Sequence, residues 1–372
     1  MIRIDEIYDH TFWPWIKKNL ISTAMYHCDP PGRTDPDSIL CTGLDEWEKN
    51  FVFIFDQEPL IPYLHNRTFA SLDFRNPNKN GMLITSEFES DNIDYICNQN
   101  NLQPFYYFFH GWAALDWYRG YNRTHLITPL QDRKITKTFF SANRIIGGLR
   151  QHRVLMLYHF QRLGLMHNWV SASEICPVEG THIKEIAQHY QNKYPDIEQV
   201  ISTIKLPKLF PGEDEPRMSS CWLDQFDICA ESLVYHISET VYTGRRLHLT
   251  EKTFKPIALG MPFVLTAPAG CLAYLKRYGF KTFSDFWDES YDNELDDSRR
   301  AEMVAEVLHK LDQLDQQQKQ QLFEQCIPVI EHNWNWFYNG EFENVLWDEL
   351  TEMLESMKLH VNTHGLPRNR SL

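Results

Sequence analysis

The stretch from Leu247 to Leu265, LHLTEKTFKPIALGMPFVL, sets Thr250-Glu251-Lys252 at the entrance of a short helix that leads into an apolar strand. A helix entrance offers free backbone N–H groups and a partial positive charge, so it suits an anion. Lys252 adds a point charge of the kind that grips phosphate. Glu239 and Glu251 supply acceptors for sugar or ribose hydroxyls. Acids beside bases fit a ligand that carries both phosphates and hydroxyls. The same residues also read as a plain helix cap, with Thr250 at the N-cap and Glu251 complementing the dipole. Pro256 argues for a helix that begins at Thr253, because a start at Thr250 places the proline beyond the first turn. The preceding loop, VYTGRRLHL, carries the pair Arg245-Arg246.

Two further segments hold chemistry of a related kind. In SANRIIGGLRQHR, Asn143, Arg144, Gly147 and Gly148 make a turn after a strand. Arg150 and Arg153 follow, three residues apart and on one helical face, where either can neutralise a pyrophosphate. The glycines match neither G-x-G-x-x-G nor a P-loop. In FVFIFDQEPLIPY an apolar strand ends in Asp56-Gln57-Glu58-Pro59. A carboxylate at a strand's C-terminal edge is placed for general-base work, and burial raises its pKa toward a useful value. It also reads as an ordinary turn carboxylate before proline.

The elements that must position these residues alternate. FVFIF, PFYYFF (104–109), KTFFSA (137–142), SLVYHIS (232–238) and PFVLTA (262–267) read as buried strands. Helical spacing marks LRQHRVLMLYHFQRLGL, HIKEIAQHYQNKY (182–194), RAEMVAEVLHKLDQLD and FENVLWDELTEMLESM. Alternation predicts α/β architecture with parallel sheets. The 372 residues suit two domains, with the boundary near THLITPLQDRKITK. The expected division is residues 1–134 and 135–340, each a Rossmann-like domain, and 341–372, a helix packing back plus a flexible tail.

Composition bounds the partners. A net charge of −14 disfavours nucleic acid and anionic lipid as whole-surface partners without excluding nucleic acid. The eight scattered cysteines form no C-x-x-C and read as buried thiols. The charged N-terminus lacks a signal core and no run of 18 apolar residues occurs, so the expectation is a cytoplasmic protein without a membrane span. The sequons at Asn66 and Asn122 then read as chance, and DNELDD (292–297) as a solvated acidic loop rather than a metal site.

Taken together, Glu239-Thr240, then Thr250-Glu251-Lys252 through Pro262-Phe263-Val264, resemble the donor-binding signature of the α1,3-fucosyltransferase family. SANRIIGGLRQHR is similar to that family's Ser-Asn element and its following arginine, and DQEP resembles its Glu-Ser-Pro base segment. The order along the chain agrees. The resemblance implies a GT-B fold, two Rossmann-like domains facing across a cleft, with C-terminal helices, 1–134 being the acceptor domain and 135–340 the nucleotide-sugar-binding domain. It implies an inverting, metal-independent transferase that moves fucose or a similar sugar from a nucleotide sugar, GDP-fucose being the first candidate, to a hydroxyl acceptor, with no other cofactor. Donor contacts would come from Asn143, Arg150 or Arg153, Glu239, Thr240, Arg245, Glu251 and Lys252. Glu58 would be the base, with Asp56 as its substitute. Acceptor contacts would come from FFHGWAALDWYRGYNRT, through His110, Trp112, Asp116 and Arg119, although aromatics so spaced also suit a core. The alternative is a non-catalytic nucleotide- or glycan-binding protein with a degenerate site. Three departures stand out. The Glu239–Glu251 spacing is two residues longer than in the family, Thr240 replaces its Asn and Ala142 its Ser. GFKTFSDFWDESYD (279–292) instead resembles a segment of uncharacterised, often phage-encoded, relatives.

Overall fold

A computed structural model describes residues 4–20, 23–27, 40–41, 50–62, 80–120, 123–213 and 222–364. Cys28, Cys221, Asn66, Asn122 and the polar tail beyond 364 lie outside them. The chain divides into two compact units. The first comprises Met1–Asp116, Arg245–His248 and Glu343–Leu372, and the second Trp117–Gly244 and Leu249–Phe342.

The first unit is built on five strands, β1 (Thr23–His27), β2 (Leu40–Cys41), β3 (Asn50–Phe55), β4 (Asn80–Thr85) and β5 (Leu102–Tyr106), in the order β2-β1-β3-β4-β5. β1, β3, β4 and β5 run parallel, in register from Asn50↔Asn80 to Phe55↔Thr85 across β3 and β4, and β2 is an antiparallel edge. A central parallel strand has both faces covered, which is why FVFIF is apolar at every position rather than alternating. Phe51, Phe53, Phe55, Leu83, Ile93 and Ile96 form a shared core. The helix Asp91–Asn100 is capped by Ser90, whose hydroxyl accepts from the Ile93 N–H, and ends at Asn101 in the left-handed region. The helix Glu341–His364 joins this unit from residue 343 onward. Glu349 Oε1 accepts from the Phe108 N–H at 2.6 Å, and Trp347 packs edge-on against Trp112 at 4.7 Å.

The second unit holds β6 (Lys137–Ser141), β7 (Trp169–Val170), β8 (Ser232–Ser238) and β9 (Phe263–Thr266), all parallel, in the order β7-β6-β8-β9. The chain leaves β6 in one direction to make β7, then returns to the other side of β6 to make β8 and β9. Strand order therefore reverses between β6 and β8. Helices His152–Arg162 and Asp297–Asp312 pack on this unit, with Val154 through Phe160 all buried. Each unit is thus a Rossmann-like parallel α/β body, as the alternation of elements predicts.

Several sequence expectations are corrected in detail. β1, β2, β4 and β7 were not read from the sequence, nor were the helices Asp91–Asn100 and Gln316–Tyr338. The glutamine run at 316–321 opens that last helix, held by a reciprocal capping box between Asp315 and Gln318. PFYYFF is a strand only to Tyr106, and helix begins at Phe109. In HIKEIAQHYQNKY only Ile183–Gln188 is α-helical. The boundary expected after residue 134 lies inside the second unit, which starts at Trp117. Residues 245–248 join the first unit because Leu247 bridges Phe88, with N–H···O distances of 2.9 and 2.7 Å in the two directions. DNELDD is no simple solvated loop. Asp292 is buried and accepts from the Leu272 and Ala273 N–H groups, Asp296 caps the Asp297–Asp312 helix, and Asp297 pairs with Arg300 at 2.7 Å. In GFKTFSDFWDESYD, Phe280, Phe283 and Trp287 are core, and Glu289 accepts from Thr282 and the Phe283 N–H. Cys97, Cys176, Cys229, Cys271 and Cys326 are buried free thiols, and burial pushes Cys97, Cys229 and Cys326 up to about 12. No helix among the described residues is long and apolar enough to cross a membrane.

Candidate functional site

In open parallel α/β sheets, ligands bind beyond the carboxyl ends of the strands, where strand order reverses. In the second unit that point lies past Ser141 at the end of β6 and Ser238 at the end of β8. Asn143 follows the first strand by two residues, and Glu239-Thr240 follow the second directly. The two helices that leave these strands, His152–Arg162 and Glu251–Ala258, carry Arg153 and Lys252; Arg150, expected on one helical face with Arg153, instead ends the 3₁₀ turn Gly148–Arg150 just before the first helix.

Glu239 organises the second of these turns. It is fully buried and its carboxylate accepts four hydrogen bonds. Oε1 takes the Thr250 N–H at 3.0 Å and the Thr253 hydroxyl at 2.6 Å, and Oε2 takes the Thr250 hydroxyl at 2.6 Å and the Thr240 N–H at 3.1 Å. These bonds bring residues 240 and 250 together across the intervening loop. They also explain why the helix starts at Glu251, not at Thr253. Thr250 is the N-cap and accepts from the Lys252 N–H, so Pro256 falls at the sixth helical position and the Lys252 carbonyl loses its i+4 donor. Tyr118 reinforces this first turn, its hydroxyl donating to the Glu251 carbonyl at 3.1 Å.

Glu251 and Lys252 answer each other. Lys252 Nζ lies 2.8 Å from Glu251 Oε1, and it also donates to Thr240 Oγ1 at 3.1 Å and Thr250 Oγ1 at 3.3 Å. The lysine side chain is 26% exposed and the glutamate 7%, so an approaching anion meets the ammonium first.

Arg153 anchors the same strand exit from the other helix. Its guanidinium is buried and donates to the Ser238 carbonyl at 2.7 Å and the Ile145 carbonyl at 2.8 Å. Burial, then the nearby Arg150 charge, pull it down to about 9, with Glu239 opposing, so it stays charged at neutral pH. His152 bonds the Ser238 hydroxyl at 3.0 Å and stacks on Tyr242, centroids 4.7 Å apart. Burial first, and then Arg153 and Arg150, drive its pKa well down, so the ring is neutral. Arg150 is half-buried, and its Nε has no hydrogen-bond partner among the described residues.

Asn143 is fixed by a polar chain across three strands. Its amide donates to Ser141 Oγ at 2.8 Å, Ser141 Oγ meets His236 Nδ1 at 2.8 Å, and His236 Nε2 meets Thr266 Oγ1 at 2.8 Å. Burial, then Arg153, hold His236 down to about 3. Asn143 Oδ1 is buried with no hydrogen-bond partner among the described residues. The structure therefore gathers Asn143, Arg150, Arg153, Glu239, Thr240, Glu251 and Lys252 around one strand reversal. Sequence reasoning missed Thr253, Ser141, Ser238, His236 and Thr266. Hydroxyls at strand ends carry no periodic signal, and only the paired strands bring them together.

The remaining sequence candidates, Arg119 excepted, belong to the first unit. Arg245, expected at the donor, is exposed and pairs with Asp91 at 2.8 Å and Asp94 at 3.4 Å in the first unit. Its neighbour Arg246 is buried 3.7 Å from Glu87, which also accepts from the Leu60 N–H and Ser90. Asp56, at the exit of β3, is 1% exposed and accepts from the Tyr107 hydroxyl, whereas Glu58 is half-buried. His110 and Trp112 are buried, against His248 and Trp347 respectively, so neither offers the open ring that stacking on a sugar requires. Asp116 is half-buried and accepts from the Ile4 N–H, and Arg119 is half-buried in the second unit. Among the described residues no three His, Cys, Asp or Glu side chains are placed to share a metal ion.

Residues 224–368 match the family model described as sucrose-6F-phosphate phosphohydrolase, less than half of the chain and a stretch that draws on both units. Among solved structures, a trehalose 6-phosphate synthase from Burkholderia multivorans is similar at 13% identity, over 86% of this chain and 68% of that one, with a TM-score of 0.36. A likeness of that extent assigns no activity to this chain. No curated protein matches it.

Proposed function

We propose that the chain is a glycosyltransferase that moves a sugar from a nucleotide-sugar donor to a hydroxyl acceptor, with inversion at the anomeric carbon. One observation carries the reading. Arg153 and Lys252 are both held to the turn after β8, through the Ser238 carbonyl and the Thr240 hydroxyl, and the Arg150 charge acts on Arg153, in a chain whose overall charge is −14. A local basic cluster at that position suits the diphosphate of a donor. The two Rossmann-like units are consistent with a GT-B architecture, and the resemblance in the sequence favours fucose as the sugar.

The chemistry follows from where charge grows. The bond from the anomeric carbon to the diphosphate oxygen breaks, and the leaving diphosphate takes its electrons. Lys252 and Arg150 meet that charge, with Arg153 holding the turn behind them. The acceptor oxygen forms the new bond from the opposite face and gives its proton to Glu58. Glu58 is preferred to Asp56 because it is half-exposed, while Asp56 is buried and bonded by Tyr107.

The test is a melting-temperature panel of nucleotide sugars, since a ligand specific for the native state raises the transition. Binding is expected, lost in Lys252→Ala and kept in Glu58→Gln, with transfer lost in both. Binding with no transfer to any acceptor would favour a non-catalytic role. Phosphate-ester hydrolysis is a second reading, supported by the match over residues 224–368. It predicts inorganic phosphate from a sugar phosphate, where transfer predicts a nucleoside diphosphate.

A further inference from the structure

We infer that a cavity of about 340 Å³ in the second unit, lined by Pro211, Glu213, Trp222, Asp224 and Gln225 together with Arg123, receives the nucleobase of the donor. The inference rests on the donor-site reading above and places the part of the ligand that reading leaves unassigned. The volume falls at the lower end of ligand pockets, roughly 300–1,000 Å³.

Two hydrogen-bond paths tie the cavity to the strand reversal. On one side Glu213 Oε1 accepts from Ser171 Oγ at 3.0 Å, and that same hydroxyl accepts from the Asn143 N–H at 3.1 Å. On the other side Asp224 Oδ1 holds Lys255 Nζ at 2.6 Å, and Lys255 stands on the same short helix as Lys252. The cavity therefore flanks the cationic cluster through both of the turns that form it.

The lining suits a flat ring with N–H groups on its edge. Trp222 is half-buried, and the Arg123 guanidinium lies 5.9 Å from its ring centroid while donating to the Leu223 carbonyl at 3.0 Å, which steadies the indole. The polar lining is rich in acceptors. Glu213 and Asp224 are carboxylates, Glu213 Oε2 also accepting from the Phe210 N–H at 2.8 Å, and Gln225 commits one of its two amide N–H groups to the Pro211 carbonyl at 2.9 Å, keeping a donor and an acceptor for a base edge. Gln225 is also held at φ +57°, a conformation that non-glycine residues seldom adopt and that recurs in ligand-binding loops. Every nucleobase has a stacking face, and each pairing edge carries at least one N–H donor. A bare sugar phosphate has neither.

Isothermal titration with pyrophosphate and with the four common nucleoside diphosphates tests the assignment on the full chain. Trp222→Ala is expected to weaken nucleoside diphosphates roughly 5- to 150-fold, the range for losing one base-stacking ring. It should leave pyrophosphate unchanged, and Trp222→Phe should restore most of the loss. Asp224→Asn is expected to alter the order of preference among bases. Equal weakening of pyrophosphate and nucleotides by Trp222→Ala, or no weakening, overturns the inference while leaving the donor site standing. So does a wild-type protein that binds pyrophosphate as tightly as any nucleotide. A wild-type protein that binds neither overturns both.

Discussion

Replacing Glu239 with glutamine removes a charge that no solvent reaches. The carboxylate accepts from the Thr250 and Thr240 N–H groups and from the Thr250 and Thr253 hydroxyls. Glutamine keeps one acceptor oxygen and turns an NH₂ group toward donors that include a backbone N–H. Hydrogen bonds to a charged group contribute about 1.5–3 kcal/mol each, but bonds sharing one carboxylate do not add. A hydroxyl can rotate to satisfy the amide, whereas a backbone N–H cannot. Counting one buried N–H left unpaired, with weakened bonds around it, gives a loss of about 3–5 kcal/mol for Glu239→Gln. Urea unfolding at neutral pH, followed by fluorescence, measures this directly. For a unit of this size the melting temperature should fall by roughly 6–20 °C. The change should also release Lys252 from Thr240 and Thr250 and weaken nucleotide binding. A loss under about 1 kcal/mol would refute the reasoning, because it would mean that the four contacts do not share a dry, ionised acceptor.

Other expectations can be checked alongside. Thr250→Ala removes both a cap and a donor to Glu239, and should cost about 1–2 kcal/mol in urea unfolding. Gly279→Ala should destabilise by several kcal/mol. Gly279 has φ +87°, and an added Cβ would lie 2.4 Å from the Trp336 ring, which is itself bonded to the Tyr278 carbonyl. His236 and His159 are depressed to about 3 and about 4, mainly by burial. Their folded forms bind protons less readily than the unfolded chain, so their contribution is complete above about pH 6.5 and declines as pH falls toward these values, by up to about 1.4 kcal/mol per pH unit for each. Unfolding free energies at pH 7 and 5 should show that decline, and His236→Gln should flatten it.

The sequence carried the parts of the fold that repeat a pattern. β3, β6, β8 and β9 are runs of buried aromatic and branched residues, and the helices at 152–162 and 297–312 show their apolar stripes plainly. β4 was hidden because NGMLIT starts with Asn80 and Gly81 and has only a short apolar run. β7 has two residues, too few for any period. The Thr-Glu-Lys stretch pointed to the right turn, but its physical logic lies in Glu239, whose partners come from eleven and fourteen residues away. Pro256 misled for a related reason. Local preference put the helix start at Thr253, and the tertiary grip of Glu239 on Thr250 and Thr253 outweighs one missing backbone bond. Arg245 was legible as a cation, but its carboxylate partners, Asp91 and Asp94, lie more than 150 residues earlier in the chain.

Residues 245–248 make four positions of the second half of the sequence part of the first unit. A fragment spanning 117–342 would therefore carry Arg246 without the buried carboxylate of Glu87, and Leu247 without its bridge partner Phe88. One spanning 1–116 would keep the buried Glu87, with its Leu60 and Ser90 donors, but without its cation. The two halves are sewn by the chain itself, so dissecting this protein calls for co-expression of complementary pieces rather than a single cut.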